Sequence, residues 1–429
     1  MSGAAAECFH DQYGELHAEP LARPFPVVTG PVMVAYRAIL FTPAEATGHA
    51  AEVAKLAELP DVEATPVQNG FQLLRWAKAE LRIERHTEFT AFTVIAPQSG
   101  VPFGESAMDH LPENCLDDIP GRILVAVEIA TEQVPISDVE SGRSMERVSA
   151  LFGRERLVGA WMVERVASVW SHFRLDERGA TRFLVQGHRL TPGRYGRLLQ
   201  RLVEIETYRM AALLSLPLAR DLLPQVEALE AQHVALVERI GAMDDGDERT
   251  LLRDLTNLSL TTERLQARCG SRFSLTGSYV RILSARVREL REEQVPGYQT
   301  IGEFFDRRLS QAWHTCETAE AGLNALSARL ESTTGLLRTR VEVNLQSQNQ
   351  MLLASVDRRA ADQLRLQHNV EGLSVVVLTY YLSNLLKLAM EGTEAAGVHF
   401  NSHMMIALAL PLVAGGVWWM VRRARNGSH

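Results

Sequence analysis

The sequence predicts an α+β protein in which an α/β domain is followed by a helical layer, a long stalk helix and a C-terminal two-helix transmembrane hairpin. Three observations carry this. Short runs rich in Val, Ile and Phe alternate with helix-like text up to about residue 190. Beyond that point the strand signals stop and helical spacing takes over. Near the end, residues 373–390 and 404–421 are strongly apolar, each close to the length a helix needs to cross a hydrocarbon core of about 30 Å. The corresponding divisions are 1–190, 191–298, 299–372 and 373–421, with a basic tail at 422–429. A chain of 429 residues, 46% hydrophobic and 22% charged, has globular composition and room for such a core.

Taken in order, the strand-like runs are 32–41, 70–76, 81–85, 89–95 and 123–129, with turn residues beside many of them. Residues 44–59 are periodic and rich in Ala and Glu, which predicts a helix packed on the sheet. The segment 163–185 reads as a hairpin turning between Asp176 and Gly179. Pro192 suits a first helical turn, and 197–216 keeps apolar residues at helical spacing until Pro217. Helical blocks follow at 220–243 and 248–293, parted by Asp244-Asp245-Gly246-Asp247, with Gly270 and Gly277 as candidate interruptions. After Pro296-Gly297 no proline breaks residues 301–371, a helix that would extend about 100 Å at about 1.5 Å per residue.

Along that stalk Leu309, Cys316, Leu323, Leu330, Leu337, Asn344 and Met351 recur every seven residues, with Ala312, Ala319, Leu326 and Ala354 as companions. A sustained seam of this kind is a coiled-coil contact, and an Asn on it fixes register or oligomer number. It serves either a homo-oligomer, the leading reading, or packing on the helices of 191–293 within one chain.

Arg358, Arg359 and Arg365 precede the first apolar run, and Arg422, Arg423 and Arg425 follow the second. Positive charge stays inside, so both termini are expected in the cytoplasm and membrane lipid is an expected partner. Residues 391–403 hold Glu391 and Glu394 and no Lys or Arg, which suits the opposite side. The first 14 residues have neither a basic start nor an apolar run of signal length, so the N-terminus is expected to stay in the cytosol. A net charge of −8, with no basic stripe outside the membrane flanks, argues against a nucleic-acid partner. Cys8, Cys115, Cys269 and Cys316 lack the paired spacing of zinc or redox sites and read as buried thiols.

Thr379, Ser383, Lys387 and Glu391 are four residues apart, with Tyr380 and Asn384 beside the same line. They give the first membrane helix a polar stripe, which lipid does not solvate. The stripe either bonds within the hairpin, with Lys387 reaching the interface beside Glu391, or lines a water-filled path through Thr379, Ser383, Asn384 and Lys387. At its outer mouth Glu391, Glu394, His399 and His403 combine a His pair at i, i+4 with carboxylates, a set that can hold a divalent cation. Solvated loop polarity is the plainer account of them. His86 in Arg85-His86-Thr87-Glu88, and His17 near Glu15 and Glu19, are further candidates whose plainer role is structural. Without a phosphate-binding glycine loop, nucleophile elbow or paired zinc motif, an ordinary enzyme is not supported.

The segments Gly14-Glu15-Leu16-His17-Ala18, Glu84-Arg85-His86-Thr87-Glu88-Phe89, Glu204-Ile205-Glu206-Thr207-Tyr208-Arg209-Met210 and Glu371-Gly372-Leu373-Ser374-Val375-Val376 resemble a bacterial membrane-anchored family catalogued as domain of unknown function 3422. The resemblance covers nearly the whole chain and implies the bacterial inner membrane, without an activity. The architecture is also similar to that of CorA-type divalent cation channels, which implies a pentamer with a pore along the stalk and first membrane helix. Where those channels carry Gly-Met-Asn, this chain reads Ala389-Met390-Glu391-Gly392, and Lys387 nearby would repel cations. The expectation is therefore a membrane-anchored oligomer of CorA-like architecture, an ion channel or transporter lacking that signature. The alternative is a membrane-tethered cytoplasmic scaffold or sensor without transport.

Overall fold

The computed structural model describes residues 24–153, 156–242, 248–394 and 402–426. The chain divides into two units, one of Met1–Asp244 with Arg253–Ser332 and the other of Asp245–Leu252 with Thr333–His429. The first unit is a mixed α+β fold built on a ten-stranded sheet. Its strands are β1 (Val32–Leu40), β2 (Glu63–Ala64), β3 (Phe71–Arg75), β4 (Glu80–Arg85), β5 (Phe89–Pro97), β6 (Arg122–Gln133), β7 (Val158–Met162), β8 (Ala167–Ser171), β9 (Thr181–Gly187) and β10 (Glu293–Gln294). They lie in the order β10-β7-β8-β9-β6-β1-β5-β4-β3-β2. Among the described strands only β6 and β9 run parallel, and every other neighbouring pair is antiparallel. The α/β label for this part is thus corrected to α+β, because tight turns join β3, β4 and β5 as neighbours where parallel pairing would need crossovers.

β1 is the central strand, and its side chains alternate between two cores. Val34, Tyr36 and Ala38 pack under Leu198, Leu199, Leu202, Val203 and Ile205 of α4 (Pro192–Leu213). Met33, Ala35 and Ile39 pack on the other face with Phe92 and Val94 of β5 and with Val53 of α1 (Ala46–Lys55). Short helices α2 (Ile136–Glu140) and α3 (Arg143–Phe152) add Val139, Val148 and Phe152 to a third core around Trp161 and Trp170. Both faces are covered, which is why β1 reads as nearly continuous apolar text. The hairpin expected at 163–185 is β8 and β9, but β7 lies ahead of it. Gly159 in β7 is needed there, since the Trp170 indole fills the space of any side chain at that position.

Pro192 opens α4, and Pro217 falls in the first turn of α5 (Leu216–Gly241), where a missing N–H is tolerated. α6 (Glu248–Glu289) runs through Gly270 and Gly277 without a break. At Gly277 the Trp313 ring lies 3.3 Å from where a β-carbon would stand, so this glycine serves close packing. β10 then returns to pair with β7, and Leu290, Ile301 and Phe305 join the core of α4 and the sheet. α4, the end of α6 and the start of α7 thus lie on the sheet core, while α5 packs with α6 and α7 in a separate cluster.

α7 (Ile301–Glu394) is a single helix spanning the stalk and the first apolar run. Its heptad seam is covered by the same chain over most of its length. Leu309 is partly buried against the sheet core, and Cys316, Ala319 and Leu323 pack with Ala219, Leu222 and Val226 of α5 and Cys269 and Phe273 of α6. Leu330 and Leu337 are 1% exposed, Asn344 donates to Glu248, and Met351 is 63% exposed. Within one copy, then, the seam assigned to oligomerisation is an intrachain seam as far as Asn344, because α5 and α6 occupy its apolar side at Cys316 and Leu323 and Asn344 bonds Glu248 of α6. α8 (Ser402–Asn426) carries the second apolar run, with Pro411 inside it.

Leu323→Ala is expected to lower unfolding stability by about 2–5 kcal/mol, the usual cost of such a cavity, while leaving the particle mass unchanged. Chemical denaturation with light scattering checks both; a fall in mass at unchanged stability would place Leu323 at a subunit contact.

Candidate functional site

Within the first unit a cavity of about 260 Å³ lies between the sheet and α4. Its floor is built by strand alternation, which sets Arg82, Glu84 and, just past the end of β4, His86 on one side. Arg82 pairs across the ladder with Thr93, which pairs with Tyr36; Glu84 pairs with Ala91, which pairs with Ala38. Ala91 lies in the lining, where its small side chain leaves room. α4 supplies the roof through Leu199, Gln200, Val203, Glu204, Thr207 and Tyr208, spaced by helical steps, while Arg286 and Glu289 of α6 close one side.

Charges in the wall are linked in series. Arg286 Nε lies 2.5 Å from Glu204 Oε2 and its Nη1 lies 2.9 Å from Glu289 Oε1, while Arg201 Nε lies 3.1 Å from Glu289 Oε2. Gln200 donates to Glu204 at 3.0 Å. Burial raises the Glu204 carboxyl above its usual range, against the opposing pull of Arg286. Thr207 Oγ1 sits 2.7 Å from both the Tyr36 hydroxyl and the Val203 carbonyl oxygen, so this contact ties α4 to the central strand. Burial also pushes the Tyr36 phenol up, keeping it neutral.

An extended segment at 24–28 crosses the mouth. Arg82 donates to the Pro24 carbonyl, Val28 N donates to Pro192 O at 3.3 Å, and Phe25 and Pro26 line the opening. The Pro26 carbonyl fills the space of a side chain at residue 196, which is why glycine stands there. Beside the cavity, Glu206 accepts from Arg209 at 2.8 Å and from Thr181 at 2.9 Å, and Glu88 binds Arg272 in bidentate fashion and Tyr279 at 2.8 Å. The His86 ring stacks on Phe89 at 4.3 Å.

The membrane-helix candidates separate. Thr379 turns its hydroxyl to the Val375 carbonyl at 2.6 Å, and Thr379 and Ser383 are half-buried with Val375 on one face. Tyr380, Asn384 and Lys387 are exposed on a different face. Glu391 and Glu394 end α7 and His403 begins α8, whereas His399 and His17 lie outside the described residues. Among the described residues no group of three or more His, Cys, Asp or Glu is placed to hold a metal ion. Arg358, Arg359 and Arg365 are exposed on α7; Arg422 and Arg423 stand over Trp418 and Trp419 at 4.9 and 5.1 Å, and Arg425 follows on α8. Cys269 and Cys316 are buried thiols and Cys115 is half-buried, while Cys8 lies outside the described residues.

Sequence reasoning passed over the cavity's Arg82, Tyr36, Arg201, Arg286 and Glu289. The signal it offered was Arg82, Glu84 and His86 at alternate positions on a strand with apolar neighbours. Two of the four segments behind the family resemblance, 84–89 and 204–210, meet here as floor and roof. A family model described as a protein of unknown function (DUF3422) matches residues 9–428. The chain belongs to that family. No curated protein matches the chain.

On the opposite sheet face a smaller cavity of about 160 Å³ is lined by Arg37, Ser106, Asp109, Glu128 and Arg178. Ser106 donates to Glu128 at 2.6 Å, and burial pushes the Glu128 carboxyl up to about 7 despite that bond. Unfolded, a Glu titrates near pH 4.3. Between about pH 4.3 and 7 the folded chain therefore holds a proton that the unfolded chain has released, and stability falls as pH rises through that window. The loss is expected to reach about 3–4 kcal/mol. Glu128→Gln should remove this part of the pH dependence in urea midpoints measured from pH 4 to 8; an unchanged profile would contradict the assignment.

Proposed function

We propose that this DUF3422 protein is a membrane-tethered binding protein whose cytoplasmic α+β unit holds a small polar molecule in the cavity under α4. The observation that carries the reading is the lining: three arginines and three glutamates converge on a hollow floored and roofed by the family segments. Arg82 is buried and the other five are half-buried, and charges drawn even partly out of water are costly for stability, so a cluster of them around a space is better explained by recognition than by folding. Its volume lies just under the roughly 300–1,000 Å³ of small-molecule sites, which suits a metabolite. With acids and bases both present, a compound bearing a carboxylate and an amine finds a partner for each group.

The tether is supported by α7, which is long and apolar enough to cross a membrane, with a window of mean hydropathy 1.4 that is 0% buried. Residues Ala407–Met420 form a shorter apolar helix, so we read the pair as a hairpin in the bacterial inner membrane. The arginines at 358, 359 and 365 and at 422, 423 and 425 then hold both termini in the cytoplasm. We take the assembly to be a homo-oligomer, because Asn384 is exposed on the spanning helix and lipid would not solvate it. The same observation favours a second reading, CorA-like ion passage along that face, separated from the first by magnesium flux into proteoliposomes.

Thr207→Trp fills the cavity from its roof. Native mass spectrometry of protein purified from its host is expected to show a retained small molecule on the parent chain and about tenfold less on the variant. Equal occupancy in both, or none in either, would overturn the binding reading.

A further inference from the structure

Past Asn344 the seam that began at Leu309 runs out of cover, and a second set of residues seven apart takes over one position further along. Leu345, Leu352, Leu366, Leu373 and Tyr380 share one heptad position with Arg359 and Lys387. Val356, Val370 and Val377 share the companion position with Asn349, Gln363 and Asn384. Every one of these side chains is exposed in the single chain. The two positions run from 345 to 387 in six heptad steps, against the roughly three to four that mark a coiled coil.

We propose that α7 over residues 345–387 pairs in parallel with the same segment of a second copy of this chain, as a two-stranded coiled coil continuing into the bilayer. The parallel direction rests on the membrane-tethered reading, because helices inserted with one orientation meet head beside head. Valine at one position with leucine at the other is the choice that favours two strands over more. The amides at Asn349, Gln363 and Asn384 fit an identical partner, since each carries a donor and an acceptor and bonds its own counterpart across the axis. At Asn384 that bond also withdraws a polar group from lipid.

The face stays exposed within the described chain. Val375, Thr379 and Ser383 lie about a third of the way round the helix from it and are half-buried. Ala409, Val413 and Val417 on α8 repeat the same step of four and are half-buried to buried. A strict seven-residue repeat drifts about 20° per heptad on a straight helix, so the two copies are expected to wind left-handed.

Single cysteines at Leu352 and Leu366, on the seam, and at Ala354 and Ala361, on the far side, are added to the full-length chain and oxidised in native membranes. The seam variants are expected to give a covalent dimer, twice 47.7 kDa, while the far-side variants stay at the level of the parent with its natural cysteines. The detergent-solubilised parent should scatter light as two copies, and Val356→Asp with Leu366→Asp as one, with the melting of the sheet unit unchanged. Equal cross-linking at all four sites, none at any, or a parent particle larger than two copies would overturn the proposal. Alkaline extraction of the same membranes reads the tether separately: a chain that is extracted yet cross-links on the seam refutes the anchor and keeps the pairing.

Discussion

Packing of α4 across the central strand is the contact on which the sheet unit depends. Leu198, Leu199, Leu202 and Val203 cover Val34, Tyr36 and Ala38, and the Thr207–Tyr36 contact fixes the depth at which the helix sits. That depth leaves space over Ala91, so the helix that completes the core also creates the cavity. Because β1 is buried on both faces, the alternation that sends Tyr36 up sends Ala35 and Arg37 down, where Arg37 joins Glu128 and Ser106 in the smaller cavity. One strand thereby supplies polar groups to two sites on opposite faces of the sheet.

The charged wall has a further consequence. Glu204, Arg286, Glu289 and Arg201 alternate in sign, so removing any one leaves a neighbour under-compensated in a poorly solvated place. A ligand with both charges can exchange partners with this chain of groups without leaving a net charge buried. The mouth is bounded by residues 24–28, held by Arg82 and by the absence of a side chain at Gly196, which limits what can enter from that side.

Much of the fold was legible because its elements are local. The strands at 32–41, 81–85 and 89–95 and the helix at 44–59 fall within a few residues of β1, β4, β5 and α1, since alternation and helical periodicity are properties of short windows. β7 was missed because Val158-Gly159-Ala160-Trp161-Met162 carries a glycine, and only Trp170, brought in by β8, explains it. A heptad repeat states that a face is to be covered without stating by what, so the partners of Leu323 on α5 and α6 could not be read from the stalk alone. The cavity was least legible of all: its charged groups come from 82–86, 200–208 and 286–289 and become neighbours only through sheet order and helix packing.

The remaining constraint is the exposed apolar surface of α7 and α8, which water does not accommodate and a bilayer does. We propose that these helices form a membrane hairpin holding the cavity-bearing unit at the cytoplasmic face. The most direct measurement is labelling of single cysteines at Ala396 and Ser428 with a membrane-impermeant maleimide, in cells made permeable only at the outer membrane and again after lysis. The account predicts that Ala396→Cys reacts in intact cells, whereas Ser428→Cys reacts only after lysis. Labelling of both, or of neither, before lysis would contradict it.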